Sequence, residues 1–239
     1  MSTPVTTHED YVRWQSERRD AVTARTGNLA LVETRWTGSE RPDLATERAS
    51  ASVTVTALER KDLTTGEPEY GLRVWDAESP AIQAFDRIDT YEYDPDWVID
   101  AQFTPVDTDR TVPFEHIRDN GGSRELVVPG DITFTRDGVE HRLAAFDDAG
   151  SLLLVFGDAT NGTETYGAGR FLFVPRETAE FGSEGTVVLD FNRAFVPPCG
   201  FSAQYNCPMP PAQNRFTEPI RAGEKNVVFT GDFDIYAAL

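Results

Sequence analysis

The residues best suited to chemistry gather in the last third of the chain: Thr163, Thr165, Tyr166, Arg170, Asp190, Asn192, Arg193, Asn214, Arg215, Glu224 and Lys225. Arg170 opens an apolar stretch and Asp190 closes another, so as strands both would stand at one rim of a sheet. Guanidinium groups at Arg170, Arg193 and Arg215 could hold a carboxylate or phosphate bidentately, with Asp190 or Glu224 as a base. The candidate ligand-binding set is therefore Tyr166, Arg170, Asp190, Asn192, Arg193, Arg215, Glu224 and Lys225. The opposing expectation is that these charges pair with one another and pin a loop to the sheet through its unpaired carbonyls.

Cys199 and Cys207 form a second constellation, with His116 and His141 as the histidines that could join them. A zinc site needs four converging ligands, and seven residues between the cysteines is longer than the usual two to four. A metal site, a disulfide and a pair of buried free thiols all stay open. Gly167-Ala-Gly169 and Gly121-Gly122 read as tight turns, since neither leads into the helix of a phosphate-binding loop. There is no Gly-x-Ser-x-Gly and no His-Glu-x-x-His. The acidic run Asp86, Asp89, Glu92, Asp94, Asp96, Asp100 lacks calcium-hand spacing and reads as a solvated face. These residues identify neither a reaction nor a cofactor, and an enzymatic role for the candidate set stays open.

These groups sit in a chain of 239 residues with 40 Asp and Glu against 22 Lys and Arg, a net charge of −18. Such a balance excludes an ordinary binder of nucleic acid or anionic membrane, which must neutralise phosphates. With 15 Phe, 7 Tyr and 4 Trp, the chain is too apolar for an acidic disordered tail. The charge is uneven: residues 1–60 hold 9 acids and 8 bases, residues 61–150 hold 21 and 8, and residues 151–239 hold 10 and 6. The candidate residues therefore lie in a segment far less acidic than the middle one. Only Lys61 and Lys225 are lysines. Many carboxylates with arginine as the main cation match a surface built for high salt.

The elements expected to position the candidates follow from periodicity. Thr7 can cap a helix over about His8–Arg25, with Glu9 and Asp10 in its first turn. The period then becomes two, giving strands near 29–33, 52–58, 70–75, 98–106, 111–117, 124–128, 131–136, 140–146, 152–156, 170–174, 186–191 and 226–230. Asp137-Gly138 and Asp148-Ala-Gly150 mark residues 131–157 as a three-stranded antiparallel meander. Between Phe191 and Asn226 lies a long segment with six prolines, whose Phe195, Phe201, Tyr205 and Phe216 make it a packed cover, not a linker. The fold class expected is mainly β, an antiparallel barrel or sandwich with an N-terminal helix and a long Pro-rich loop. Residues 1–60 supply the helix and first strands, packed on a main β domain of residues 61–239. No membrane span or leader pattern is present, which points to a cytoplasmic location.

Thr163-Glu-Thr-Tyr-Gly-Ala-Gly-Arg-Phe-Leu172, Val188-Leu-Asp-Phe-Asn-Arg-Ala-Phe195, Pro197-Pro-Cys-Gly-Phe201, Cys207-Pro-Met-Pro-Pro211, Asn214-Arg215 and Ala222-Gly-Glu-Lys225 follow one another in a distinctive order. Upstream come Leu72-Arg-Val-Trp-Asp76, Ser79-Pro80, Phe85, Trp97 and Ala101-Gln-Phe103. Over roughly residues 70–229 the chain resembles a widespread prokaryotic family known as domain of unknown function number sixteen eighty-four. The resemblance implies a mostly β domain and brings no activity, substrate or cofactor. Members commonly carry Ala-Tyr-Asn-Pro-Pro-Cys where this chain has Ala194-Phe-Val-Pro-Pro-Cys199, so a phenol and an amide are missing here.

The expected partners are a small anionic or polar ligand, or a second copy of the chain in a homo-oligomer, with no nucleic acid and no membrane. The acidic composition makes a prediction of its own. The melting temperature followed by circular dichroism rises from about 0.1 M into molar KCl, where the Debye length falls to roughly 3 Å. A flat or falling curve would remove the high-salt reading.

Overall fold

The computed structural model describes residues 7–47, 50–62, 65–106, 110–119, 123–176 and 182–237. The expected turn at Gly121-Gly122 lies outside the described residues. Helix α1 (His8–Thr23) starts where the sequence places its cap. The Asp10 amide donates to Thr7 Oγ1 at 3.1 Å, while the Thr7 hydroxyl and amide both donate to the Asp10 carboxylate, at 2.8 and 3.2 Å. This reciprocal arrangement satisfies donors that the first helical turn leaves free.

Thirteen strands follow among the described residues: β1 (Leu31–Gly38), β2 (Val53–Lys61), β3 (Pro68–Asp76), β4 (Phe85–Thr90), β5 (Val98–Pro105), β6 (Thr111–Glu115), β7 (Ser123–Val127), β8 (Gly130–Arg136), β9 (Val139–Asp148), β10 (Ser151–Phe156), β11 (Arg170–Val174), β12 (Gly185–Asp190) and β13 (Glu224–Phe229). A five-residue helix α2 (Pro80–Ala84) precedes β4, and its cap Ser79 accepts from the Ile82 amide. The chain divides into two compact units.

One unit comprises Gln15–Ile88, Pro198–Asn206 and Val227–Leu239. Its sheet has the order β1-β3-β2, antiparallel throughout. Ala30, Leu31 and Trp75 form a small core with Ile82 and Tyr205 against it. The buried hydroxyls of Ser79 and Ser202 donate to the carbonyls of Leu29 and Leu31, both at 2.7 Å.

The other unit comprises Met1–Trp14, Asp89–Pro197 and Cys207–Asn226 and carries most of the candidate residues. Its six strands run β11-β10-β9-β8-β5-β12, each antiparallel to its neighbours. The sheet curls into a half-barrel that brings the edge strands β11 and β12 near each other. Phe103, Ile132, Leu143, Leu154, Phe156, Leu172 and Leu189 fill the concave side. All of Leu152–Phe156 on β10 is buried, as expected of a strand covered on both faces. Phe114 from the β6-β7 hairpin meets Phe146, and Phe195 meets Phe171, on the second side.

The Pro-rich segment is more ordered than its sequence suggests. It contains three 3-10 turns, Phe191–Arg193, Pro198–Gly200 and Ala212–Asn214, and sends Phe216, Ile220 and Ala222 into the half-barrel core. The sequence pattern misses β4, because Phe85-Asp-Arg-Ile-Asp-Thr90 carries charges and looks like the start of the acidic run. Its partner is β13.

The β9-β10 turn holds a strained residue. Ser151 pairs with Asp148, so Ala149 and Gly150 form a two-residue loop with φ of 52° and 90°. Alanine in the left-handed region costs roughly 1–2 kcal/mol, whereas Asn-Gly suits this turn. Ala149→Asn is expected to raise the unfolding free energy by about 0.5–1 kcal/mol in a denaturant titration, and an unchanged or lower value would refute the strain.

Candidate functional site

The loop after β10 is built from short polar side chains that satisfy their own backbone. The Asp158 amide donates to Asn161 Oδ1 at 2.7 Å, and Asp158 Oδ1 accepts from the Thr160 amide at 2.8 Å and from the Thr160 hydroxyl. The Thr160 and Thr165 hydroxyls meet at 2.8 Å, and Asn161 Nδ2 donates to Thr165 Oγ1 at 2.9 Å. Such local bonds let a loop bury backbone groups without helix or strand. Gly169 ends the loop with φ of 93°, and a Cβ there would lie 2.5 Å from the Phe156 carbonyl oxygen. That close approach delivers Arg170 to the start of β11.

Arg170 is 0% exposed, and so is the Asp158 side chain it pairs with at 2.8 Å. Its Nη2 also donates to the Ile220 carbonyl at 2.7 Å, and Nη1 donates to the carbonyls of Ala222 and Glu224. Asp158 Oδ1 accepts from the Ile220 amide at 3.2 Å. The guanidinium lies 5.3 Å from the centre of the Phe156 ring. One buried ion pair thus ties the loop, the β11 edge and residues 220–224 together. Arg170 Nε is buried without a hydrogen bond.

Glu224, 1% exposed, accepts from the Val196 amide at 2.7 Å and donates its own amide to the Ala194 carbonyl at 2.8 Å. Gly223 makes this approach feasible, because a Cβ there would sit 2.5 Å from the Ala194 oxygen. Buried Asn214 takes over a strand's role. Its Oδ1 accepts from the Ala144 amide at 2.9 Å, and its Nδ2 donates to the carbonyls of Ala144 and Val155, both at 2.8 Å. The β9-β10 ladder stops at Leu154 and Ala145, and the Asn214 amide continues it.

Above this interior lies a partly exposed cluster. Arg221 grips Glu164 with Nη2 at 2.7 Å from Oε1 and Nε at 3.0 Å from Oε2, and the Tyr91 hydroxyl donates to Oε2 at 3.0 Å. The Lys225 ammonium lies 5.2 Å from the centre of the Tyr91 ring. Arg221 and the Tyr91 hydroxyl hold the Glu164 carboxyl at a pKa of about 2. Burial, with Glu164 beside it, pushes the Tyr91 phenol up to about 12.

A third group forms at the end of β12. Asn192 Oδ1 accepts from the Asp94 amide and its Nδ2 donates to the Asp94 carbonyl, both at 2.9 Å. Asp190 Oδ1 accepts from the amide and Nδ2 of Asn192, at 3.2 and 3.1 Å. Asp190 is 7% exposed, and its Oδ2 stands 3.5 Å from Arg193 Nε. Both of these atoms are buried and neither has a hydrogen bond. Tyr93 lies in the field of this group: burial first, then the charges of Asp190, Asp10 and Asp94, raise its phenol.

The structure thus divides the candidate residues. Arg170 and Glu224 share the interior network, Asp190, Asn192 and Arg193 share the β12 end, and Lys225 stands at the outer cluster. Tyr166 is half-buried and joins the outer region through its amide, which donates to the Lys225 carbonyl at 2.9 Å. Arg215 is exposed, with its backbone bridged to Gly157. Asp158, Tyr91, Glu164 and Arg221 are the partners that sequence reading missed. Their types carry no signal until the fold brings them to Arg170 and Lys225.

Cys199 and Cys207 are both buried, and neither is in a disulfide. His116 Nδ1 lies 3.0 Å from the Phe114 carbonyl, and burial lowers its pKa. His141 stacks on Phe134 with ring centres 4.7 Å apart. Among the described residues, no three His, Cys, Asp or Glu side chains converge as metal ligands do, and no helix is long and apolar enough to cross a membrane.

A half-barrel closed by a Pro-rich segment and locked by a buried Asp-Arg pair is the architecture that carries the motif series. The chain belongs to the family described as Protein of unknown function (DUF1684), matched over residues 83–225. No curated protein matches the chain. Among solved structures it is similar to the uncharacterized protein from gene locus rrnAC0354 of Haloarcula marismortui, determined by solution NMR. The two are 27% identical, with 59% of this chain and 77% of that one covered and a TM-score of 0.49.

The Glu164 contacts predict an acid dependence. Its folded pKa, about 2, lies below the ordinary 4.5, so its stabilisation is complete above 4.5 and is lost as pH falls through about 2. The melting-temperature gap between the wild type and Glu164→Gln is expected to be present at neutral pH and to close by about pH 2. A gap independent of pH would refute the assignment.

Proposed function

We propose that the chain is a small-molecule-binding β domain whose ligand, polar or anionic, docks at the end of β12. The observation that carries this reading is the buried ion pair of Asp190 Oδ2 and Arg193 Nε, 3.5 Å apart, in which neither atom makes a hydrogen bond. A buried polar atom that makes no hydrogen bond costs about 1–3 kcal/mol, and a role in binding is one reason to keep it. The pair stands at the end of the edge strand β12. The open side chain of Arg193, 41% exposed, supplies donors that a carboxylate or hydroxyl could use.

A specific observation favours a second role for the other candidates. Arg170 meets three carbonyls and one carboxylate of its own chain. It acts as a lock on residues 220–224, and the same holds for Glu224 on Val196.

The two roles separate in a thermal-shift experiment with a panel of small polar and anionic metabolites. Arg170→Ala strands the Asp158 charge and is expected to cost about 3–5 kcal/mol, whereas Asp190→Ala and Arg193→Ala remove the ligand-induced rise in melting temperature from a protein that still folds. If no compound raises the melting temperature, and all three variants only lower it, the binding reading falls and the motif third is a structural lock alone.

A further inference from the structure

The sheet β1-β3-β2 holds a cation that its own chain leaves without a carboxylate. Arg73 lies on the central strand β3, directly across from Thr34 of β1 and Thr56 of β2. Elsewhere in the same sheet Arg60 pairs with Glu69 at 2.6 Å, and Arg35 with Glu47 at 2.7 Å. Arg73 makes neither an ion pair nor a hydrogen bond among the described residues. In a chain with a net charge of −18, a half-buried guanidinium of this kind is a local positive focus.

Aromatic rings hold it in place. The guanidinium carbon lies 5.0 Å from the centre of the Tyr205 ring and 5.9 Å from that of Trp75. Those two rings meet edge to face at 6.4 Å, and the Trp75 indole N–H donates to the Thr56 hydroxyl at 2.9 Å. Contacts through ring faces fix a guanidinium without using its N–H groups. Arg73 Nε is buried, whereas Nη1 and Nη2 keep contact with solvent, so the end of the fork is open. The Thr34 amide points out of the ladder to Gln204 Oε1 at 3.0 Å, which makes Thr34 and Arg73 the kind of cross-strand pair whose side chains stand closest. Thr34 Oγ1 is nevertheless buried without a hydrogen bond, as is Arg73 Nε. The fold forgoes two hydrogen bonds at one spot, a departure expected where a function competes with stability.

A guanidinium can only donate, so its ligand must accept. One cation balances one negative charge, and a phosphate dianion would add a second to a chain already at −18. The planar fork matches the two oxygens of a carboxylate. Diagonally across from Arg73 on the same face stands Trp36, half-buried, with Arg60 over one side of its indole at 3.8 Å. A diagonal neighbour in a sheet is within reach of a large side chain, so Trp36 supplies apolar surface beside the fork. We infer that this face of the sheet binds a small monocarboxylate with a flat apolar body, its oxygens accepting from Arg73 Nη1 and Nη2.

The test is a 15N NMR titration of the full chain, following the Arg73 Nε–Hε and the Trp36 and Trp75 indole N–H resonances. The probes are benzoate, acetate, benzamide and inorganic phosphate, at concentrations up to the order of 10 mM. The expected result is a saturable shift with benzoate that is about tenfold weaker with acetate and with benzamide. Arg73→Met abolishes it, and Arg73→Lys, which keeps the charge and loses the fork, weakens it by about tenfold. Because the guanidinium makes no hydrogen bond or ion pair within the described residues, Arg73→Met is expected to melt within about 2 °C of the wild type. A fall of about 5 °C or more would make the guanidinium structural and overturn the site. Should benzamide match benzoate, charge plays no part and the site is overturned. Should acetate match benzoate, the apolar body is overturned, and should phosphate alone bind, the carboxylate is. Should no probe move these resonances, there is no site on this face.

Discussion

One fully desolvated ion pair holds together the loop after β10, the start of β11 and residues 220–224. Removing Asp158 and Arg170 from water costs several kcal/mol per ion after relaxation, and mutual attraction alone seldom offsets that. The balance here is completed by geometry. The guanidinium reaches three backbone carbonyls besides the carboxylate, and the carboxylate accepts from Thr160 and Ile220 besides the guanidinium. Two of those carbonyls, Ile220 and Ala222, lie outside any strand, so the charge and the loop each satisfy the other's need.

Two asparagines extend the same logic to the sheet. Asn214 and Asn192 each present an amide edge to both the N–H and the C=O of one residue, Ala144 in the first case and Asp94 in the second. Each side chain serves as a one-residue strand at a place where the backbone has no neighbour. This satisfies the backbone groups of Ala144 and Asp94 where no strand does so.

Much of this architecture was legible in the sequence. Period-two patterning located twelve of the strands, and turn residues fixed the meander at 137–138 and 149–150. Thr7 declared the helix start. The residues at the heart of the site were legible in type but not in role, because Arg170 reads the same whether it faces a ligand or Ile220. That distinction depends on residues about fifty positions away, and no local pattern encodes it. Asp158 was invisible for the same reason: in Gly157-Asp158-Ala-Thr-Asn-Gly162 it looks like one more turn residue. β4 was lost because its alternation is carried by charged side chains, and only its pairing with β13 makes it a strand.

The long reach of these bonds has a consequence for how the protein comes to be made. All six strands of the half-barrel have been synthesised by residue 190, yet its Arg170 waits for carbonyls at 220–224 and its Ala144 for the amide at 214. Loop closure over such separations is slow compared with local pairing. Arg170 can meet its full set of partners only once residues 220–224 have been made.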